Sequence, residues 1–286
     1  MRVYIPNTSS QKTGGGWTWM SNFRKSMKMH DVQFVDKWQD CDIYLVAGVT
    51  ITEPSEVREA KKSGKAIMQR VDNVPKKSRN KRCTPHERMQ EITDLCDVVI
   101  YQSEWAREYC KPLAGDGTII YNGVDTDIFK PLEQERFKRY LFAYHGKSEL
   151  KGFWQAHQIF QHEHKLNNGR CEFWFINDFG RDLPELQASK FDFWNGETFV
   201  HHPKVNTPEE MAEIMQECTH LIFPSWADAA PNTVLEARAC GLEVIGAPPA
   251  KYSGVQEMID LPFEDIGLER MGEEYYGVMK LLTQDI

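Results

Sequence analysis

At 286 residues with 41% hydrophobic side chains, the chain is too long for one minimal domain and long enough to bury two cores of ordinary size. A formal net charge of −8 argues against a generic nucleic-acid coat protein. The N-terminus MRVYIPNTSS lacks the apolar core of a signal peptide, and no apolar run approaches the roughly 20 residues of a membrane span, so a soluble protein is expected. Residues 1–122 carry 19 Lys/Arg against 15 Asp/Glu, a net of +4; residues 123–286 carry 15 against 27, a net of −12. The two halves face different electrostatic tasks. Seven cysteines, widely spaced and without a Cys-x-x-Cys pair, read as reduced thiols of a cytoplasmic protein.

In chain order, Arg2–Ile5 reads as a strand and Pro6–Gly16 as a loop. Trp17–Met29 reads as a helix, with Trp17, Met20, Phe23 and Met27 at helical spacing. Val32–Val35 and the continuous apolar run Asp42–Gly48 read as strands, the second covered on both faces. Pro54–Ser63 is a charged helix that starts on proline and stops before Gly64. Ala66–Val71, Val98–Gln102 and Thr118–Tyr121 are further strands, with helices at Glu87–Cys96 and Glu104–Cys110. Strands alternating with helices predict a doubly wound parallel sheet.

The pattern breaks at NGVDTDIFKP (122–131) and restarts. Strands are expected at Tyr140–Tyr144, Glu172–Ile176, Phe199–Val200, His220–Phe223 and Glu243–Gly246. Helices are expected at Gly152–His162, Glu209–Cys218, Thr233–Ala239 and Glu269–Leu282. The economical reading is an α/β chain of two Rossmann-like halves, with ligands at the carboxyl ends of the strands and a cleft between the halves.

Four stretches carry candidate chemistry. In DAAPNTVLEARACG (228–241), a loop follows a strand and opens a helix. Pro231 suits a first helical turn, and the backbone N–H groups of Asn232, Thr233 and Val234 form an anion site at its positive end. Glu236, about one turn inside, can accept two hydrogen bonds from a ribose diol, and Asp228 can accept from a second sugar. The alternative is that Asp228 caps the helix and Glu236 complements its dipole. In HGKSELKGF (145–153), Lys147 and Lys151 stand beside Gly146 and Gly152, which suits a diphosphate approaching the backbone, or else is a solvated lysine pair. In TGGGWTW (13–19), three glycines including Gly15 and Gly16 permit close approach of a ligand, though the stretch is neither GxGxxG nor a Walker loop. Trp17 and Trp19 flank it and could stack on a sugar or base. Finally, KKSRNKR (76–82) places five cations in seven residues: Lys76, Lys77, Arg79, Lys81 and Arg82. It is either a solvated loop or the landing site of an anionic acceptor.

Taken in order, the glycine loop 14–16, YNGVDTDIFKP (121–131), GKSELKG (146–152), PSWADAAPNTVLEARACGLEVI (224–245) and the Gly254…Glu257 element resemble the retaining GT-B glycosyltransferases with a Glu-x7-Glu signature. Asp228 stands where the first Glu is usual, and Lys147 where Arg is common. The resemblance implies GT-B architecture, two Rossmann-like domains facing across a cleft. Residues 1–123 would bind acceptor, with the terminal helix 271–286 packed back on them, and residues 124–270 would bind the nucleotide sugar. It implies that Glu236 holds the donor ribose, Lys147 and Lys151 the diphosphate, and Asp228 the donor sugar. Asn232 and Thr233 offer backbone amides, Gly15 and Gly16 let the donor approach, and the base lies against Val200–Val205, with His201 among its contacts. Asp72, after a strand of the N-terminal half, is a candidate beside the acceptor and reacting sugar, or alternatively a cap. Front-face substitution with retention needs no protein nucleophile and no cofactor beyond the donor, taken as a UDP-sugar.

Asp125-Thr126-Asp127 is formally Asp-x-Asp but lies in the linker motif, and no required metal is expected. A basic first half suits an anionic acceptor such as DNA, in the manner of phage DNA-base glycosylation, or a phosphorylated glycan, with Trp17, Lys76, Lys77, Arg79 and Arg82 as contacts. A glycan or lipid-linked saccharide acceptor, and a non-catalytic nucleotide-sugar or nucleic-acid binder of the same fold, are the alternatives.

Overall fold

The computed structural model describes residues 1–6, 14–72, 84–143, 151–176, 199–225, 228–246 and 253–284, with residues 84–86 described by their backbone. Lys147 and the basic run Lys76, Lys77, Arg79, Lys81 and Arg82 lie outside the described residues. The chain divides into two units. The first is Met1–Gly123, Asp228–Asn232 and Glu264–Ile286; the second is Val124–Ala227 and Thr233–Phe263. Asp228–Asn232 and residues 264–270, placed by the sequence reading in the second domain, are thus part of the first unit.

In the first unit the order is β1 (Arg2–Tyr4), α1 (Gly15–Ser26), β2 (Gln33–Phe34), β3 (Ile43–Val46), α2 (Pro54–Lys62), β4 (Ala66–Val71), α3 (Thr84–Thr93), β5 (Val98–Tyr101), α4 (Glu104–Ala114) and β6 (Thr118–Ile119). All pair in parallel in the order β2-β1-β3-β4-β5-β6. Every residue of β3 and β4 is buried, as in central strands covered on both faces; β3 is an unbroken apolar run, whereas β4 also buries Gln69 and Arg70. Strand order reverses between β1 and β3, so the loops after these two strands flank a topological switch point. The predicted elements shorten at the edges: β2 and β6 have two residues each, where one side of the ladder lacks a partner. Helix α1 begins at Gly15, not Trp17, so Gly15 and Gly16 form its first turn while Gly14, at φ 126°, makes the bend.

In the second unit the order is β7 (Arg139–Ala143), α5 (Phe153–Leu166), β8 (Glu172–Ile176), β9 (Phe199–His202), α6 (Pro208–Gln216), β10 (His220–Ile222), α7 (Asn232–Ala239), β11 (Glu243–Ile245) and α8 (Gly254–Asp260). Residue Asn232, the first of α7, is counted with the first unit. The strands are again parallel, in the order β11-β10-β7-β8-β9. Here the reversal falls between β7 and β10. The core is aromatic: Phe153 and Phe160 of α5 pack on Phe142, Phe173 and Phe175. Helix α6 opens on a capping box in which Thr207 and Glu210 satisfy each other's backbone N–H groups, behind Pro208.

A last helix, α9 (Leu268–Gln284), returns to the first unit. Its Met271, Tyr275 and Met279 are fully buried in one cluster with Val3, Trp19, Phe23 and Leu45. The Tyr275 ring meets those of Trp19 and Phe23 at 5.6 and 5.1 Å. Trp19 is 1% exposed, stacked on Phe23 at 5.0 Å and 14°. It is a core residue and has no face left for a sugar or base, which corrects the reading of Trp19 as a stacking platform.

Candidate functional site

The second unit holds the residues assigned to the diphosphate and the ribose. Lys151 stands between α5 and β7, one of the two strands at the switch point. Its Nζ lies 5.6 Å from the centre of the Phe223 ring, at the carboxyl end of the other, β10. The next residue, Gly152, caps α5 with φ 78° and ψ 43°. A Cβ there would be strained by that φ and would come within 2.9 Å of Pro224 Cγ. Glycine at 152 therefore lets the chain at Lys151 and Gly152 approach the end of β10, where ligands of parallel sheets bind.

Helix α7 follows β10. No acid occupies its first turn, so nothing anionic on the helix itself offsets the positive end formed by Asn232 and Thr233. Pro231 stands just before the helix, not in its first turn. Glu236, the fifth residue of the helix, is 8% exposed. Burial alone pushes its carboxyl up to about 7, because no hydrogen bond or ion pair with the described residues supports the charged form. This is not the solvated carboxylate expected of a residue that merely complements a helix dipole. His201, on β9, is exposed and stacks on Phe175 at 5.2 Å and 26°, while His202, on the opposite face of the strand, meets Trp174 at 4.6 Å.

The first unit holds the others. Asp72 follows β4 and is half-buried; its carboxyl carbon lies 3.1 Å from the point a Cβ on Gly48 would occupy. Gly48 follows β3, so the neighbouring carboxyl ends of β3 and β4 meet at this carboxylate, and a side chain at 48 would crowd it. Gly15 and Gly16 are exposed, with nothing within 4 Å of a Cβ at either. Trp17 is half-buried against the core that contains Trp19 and Met20. Asp228 is half-buried, and the two alanines after it are buried. The structure brings Asn232 to the glycine turn: its Nδ2 donates to the Gly15 carbonyl at 3.1 Å.

Sequence reasoning missed the residues that hold this loop. Asn122, read only as the start of a linker, donates from Nδ2 to the Ala230 carbonyl at 3.0 Å and to Asn232 Oδ1 at 2.9 Å. The signal was present: an amide at the end of a strand that sequence places beside other strand ends. Asp125-Thr126-Asp127 forms a turn in which Asp125 Oδ1 accepts from the Asp127 N–H at 3.2 Å and the Asp125 carbonyl accepts from Ile128 and Phe129. Among the described residues no group of three His, Cys, Asp or Glu side chains could hold a metal ion, and no helix is long and apolar enough to cross a membrane. Six cysteines are free thiols among the described residues.

No protein-family model and no curated protein matches the chain in sequence. Solved structures match it along its length. AviGT4, a glycosyltransferase involved in avilamycin A biosynthesis, aligns over 100% of this chain and 98% of its own, at TM-score 0.65 and 15% identity. HepE of Anabaena, solved in complex with UDP-glucose, aligns over 100% and 98% at TM-score 0.64 and 12% identity. The lipopolysaccharide outer core galactosyltransferase WaaB aligns over 98% and 99% at TM-score 0.63 and 15% identity. The chain has the GT-B fold, with a parallel α/β sheet in each unit.

Proposed function

We propose that this chain is a retaining glycosyltransferase that moves a hexose or pentose from a UDP-sugar to a hydroxyl acceptor. The observation that carries the reading is Glu236: a buried carboxylate, pushed up to about 7 by desolvation, on the helix after a switch-point strand. Such a group gains most from a ligand that donates two hydroxyl hydrogens to it, as a ribose does. Lys151, on the other switch-point loop, and Lys147 are assigned to the diphosphate. There they stabilise charge that grows as the nucleotide departs. The similar fold of HepE, solved with UDP-glucose, supports the choice of donor.

In this reading the donor phosphate takes the acceptor proton during front-face attack, so the anomeric configuration is retained without a protein nucleophile. Asp228 accepts from hydroxyls of the transferred sugar. The amides of Asn232 and Thr233 face sugar or phosphate, Gly15 and Gly16 leave room for it, and His201 lies with the base. Asp72 is assigned to the acceptor and reacting sugar. Trp17, Lys76, Lys77, Arg79 and Arg82 are assigned to an anionic acceptor, with a modified DNA base as the leading candidate. No metal is given a role.

The test is a thermal-shift screen of nucleotide sugars, because a ligand that binds only the folded state raises its Tm. It is followed by release of nucleoside diphosphate from the best donor. Lys151→Ala is expected to lower kcat about 100-fold, the scale of one lost donor to developing charge. Parent-like turnover in that variant sinks the assignment. For the acceptor, binding must weaken steeply with salt, as phosphate contacts dictate; a flat response from low to moderate salt removes the anionic acceptor and leaves the transferase.

A further inference from the structure

Arg70, on β4, is 2% exposed. A guanidinium has donors and no acceptor. Its Nη1 donates to the Ala47 carbonyl at 3.3 Å, and its Nη2 donates to Gln102 Oε1 and, at 3.4 Å, to Asn122 Oδ1. Its Cζ stands 4.1 Å above the centre of the Trp19 ring. Gln102 and Asn122 each turn an oxygen toward it, and their NH2 groups are left to donate elsewhere. Gln102 Nε2 donates to the Val71 carbonyl at 2.7 Å. Asn122 Nδ2 donates to the Ala230 carbonyl, to Asn232 Oδ1 and, at 3.1 Å, to Gln102 Oε1. With its oxygen so engaged, Asn232 presents Nδ2 to the Gly15 carbonyl. One buried cation thus sets the sense of a series of amides that ends at the glycine turn.

The backbone of Asn122 is fixed as firmly as its side chain. Arg270 of α9 donates to the carbonyls of Tyr121 and Asn122, both at 2.9 Å. A Cβ on Gly123 would come within 2.9 Å of the Gly267 carbonyl, so a side chain on the residue after Asn122 would force the backbone to shift.

We infer that Asn122 is a positioning residue for the Asp228–Asn232 loop: oriented by Arg70 and anchored by Arg270, it fixes the Ala230 carbonyl and the Asn232 amide, and through them the Gly15 carbonyl. The consequence for catalysis rests on the transferase reading above, in which Asp228 on this loop meets the donor sugar.

Asn122→Asp tests it. The substitution keeps the shape and the oxygen facing Arg70, but turns the group facing the Ala230 carbonyl, Asn232 Oδ1 and Gln102 Oε1 from donor to acceptor. The variant should keep the parent's Tm to within a few degrees. Amide hydrogen exchange at Ala229, Ala230 and Asn232 should quicken at least tenfold. Hydrolysis of UDP-glucose should fall at least tenfold in kcat, with the Kd for UDP, which lacks the sugar, within twofold of the parent. Asn232→Ala, which cuts only the last link, should quicken exchange in the glycine turn and is the second variant if the first does not fold. Parent-like exchange and turnover in Asn122→Asp overturn the inference. So does a UDP affinity that falls as far as kcat together with a lowered Tm, which marks a merely structural residue. If the parent itself neither binds UDP nor hydrolyses UDP-glucose, the transferase reading fails, and exchange alone decides whether Asn122 holds the loop.

Discussion

Arg70 in the first unit and Glu236 in the second are both ionisable and both almost wholly removed from water, at 2% and 8% exposure. Their surroundings differ. Three oxygens and the face of Trp19 receive the guanidinium, and only its Nε lacks a partner. Desolvation lowers its pKa, yet a guanidinium titrates so far above neutrality that it stays charged. The Glu236 carboxylate has burial without compensation among the described residues, and its pKa climbs to about 7. A buried charge with its partners in place belongs to the architecture. One left without them costs stability and points to a group that arrives later.

The largest effect expected from this contrast is on Arg70. Arg70→Met leaves the oxygens of Ala47, Gln102 and Asn122 in the core without a donor, at a cost of about 3 kcal/mol or more. Denaturant unfolding of the variant checks this, and a loss under about 1 kcal/mol would break the contrast. Next is Glu236→Ala, which should weaken UDP-glucose binding about 100-fold by calorimetry, the loss of two hydrogen bonds to a charged acceptor. Smaller is the effect of pH on that binding. The diol needs the ionised carboxylate, whose pKa in the free protein is about 7. Affinity should therefore drop roughly tenfold for each pH unit below 7, with proton release on binding, and Glu236→Gln should flatten the profile.

The smallest effect concerns stability, and its sign is opposite to that of Arg70. The carboxyl of Glu236 holds its proton longer in the native than in the unfolded chain, between about 4.5 and about 7. Stability from this group therefore falls as pH rises through that window, and the penalty is complete above 7. Glu236→Gln should raise the Tm by a few degrees at pH 8 and leave it unchanged below pH 4. A variant that melts lower at pH 8 would mean that the carboxylate has partners in the native state.

Much of this contrast was only half legible in the sequence. Apolar runs such as DIYLVAG were enough to place β3, β4, β7 and β8, because central parallel strands are mostly apolar on both faces. Asp228, Glu236 and Lys151 stood out because acids and cations beside proline and glycine at strand ends are informative by position alone. The burial of Glu236 was not legible: helical spacing gives a face, and which face is covered depends on the neighbouring elements. In QRVDN the sequence drew attention to Asp72, whereas Arg70 two residues earlier is the more deeply buried charge, and its partners come from positions 47, 102 and 122. Thr207-Pro208-Glu209-Glu210 carried a readable helix start, one residue ahead of the start expected at Glu209.

Helix α9 supplies Met271, Tyr275 and Met279 to a core whose other members lie before residue 121. During synthesis, the nascent first unit therefore emerges with Trp19 and Phe23 uncovered. At 5–20 residues per second, it waits on the order of ten seconds for the segment that covers them to leave the ribosome. The second unit, encoded between, can fold during that delay, so the half of the molecule made first is the half completed last.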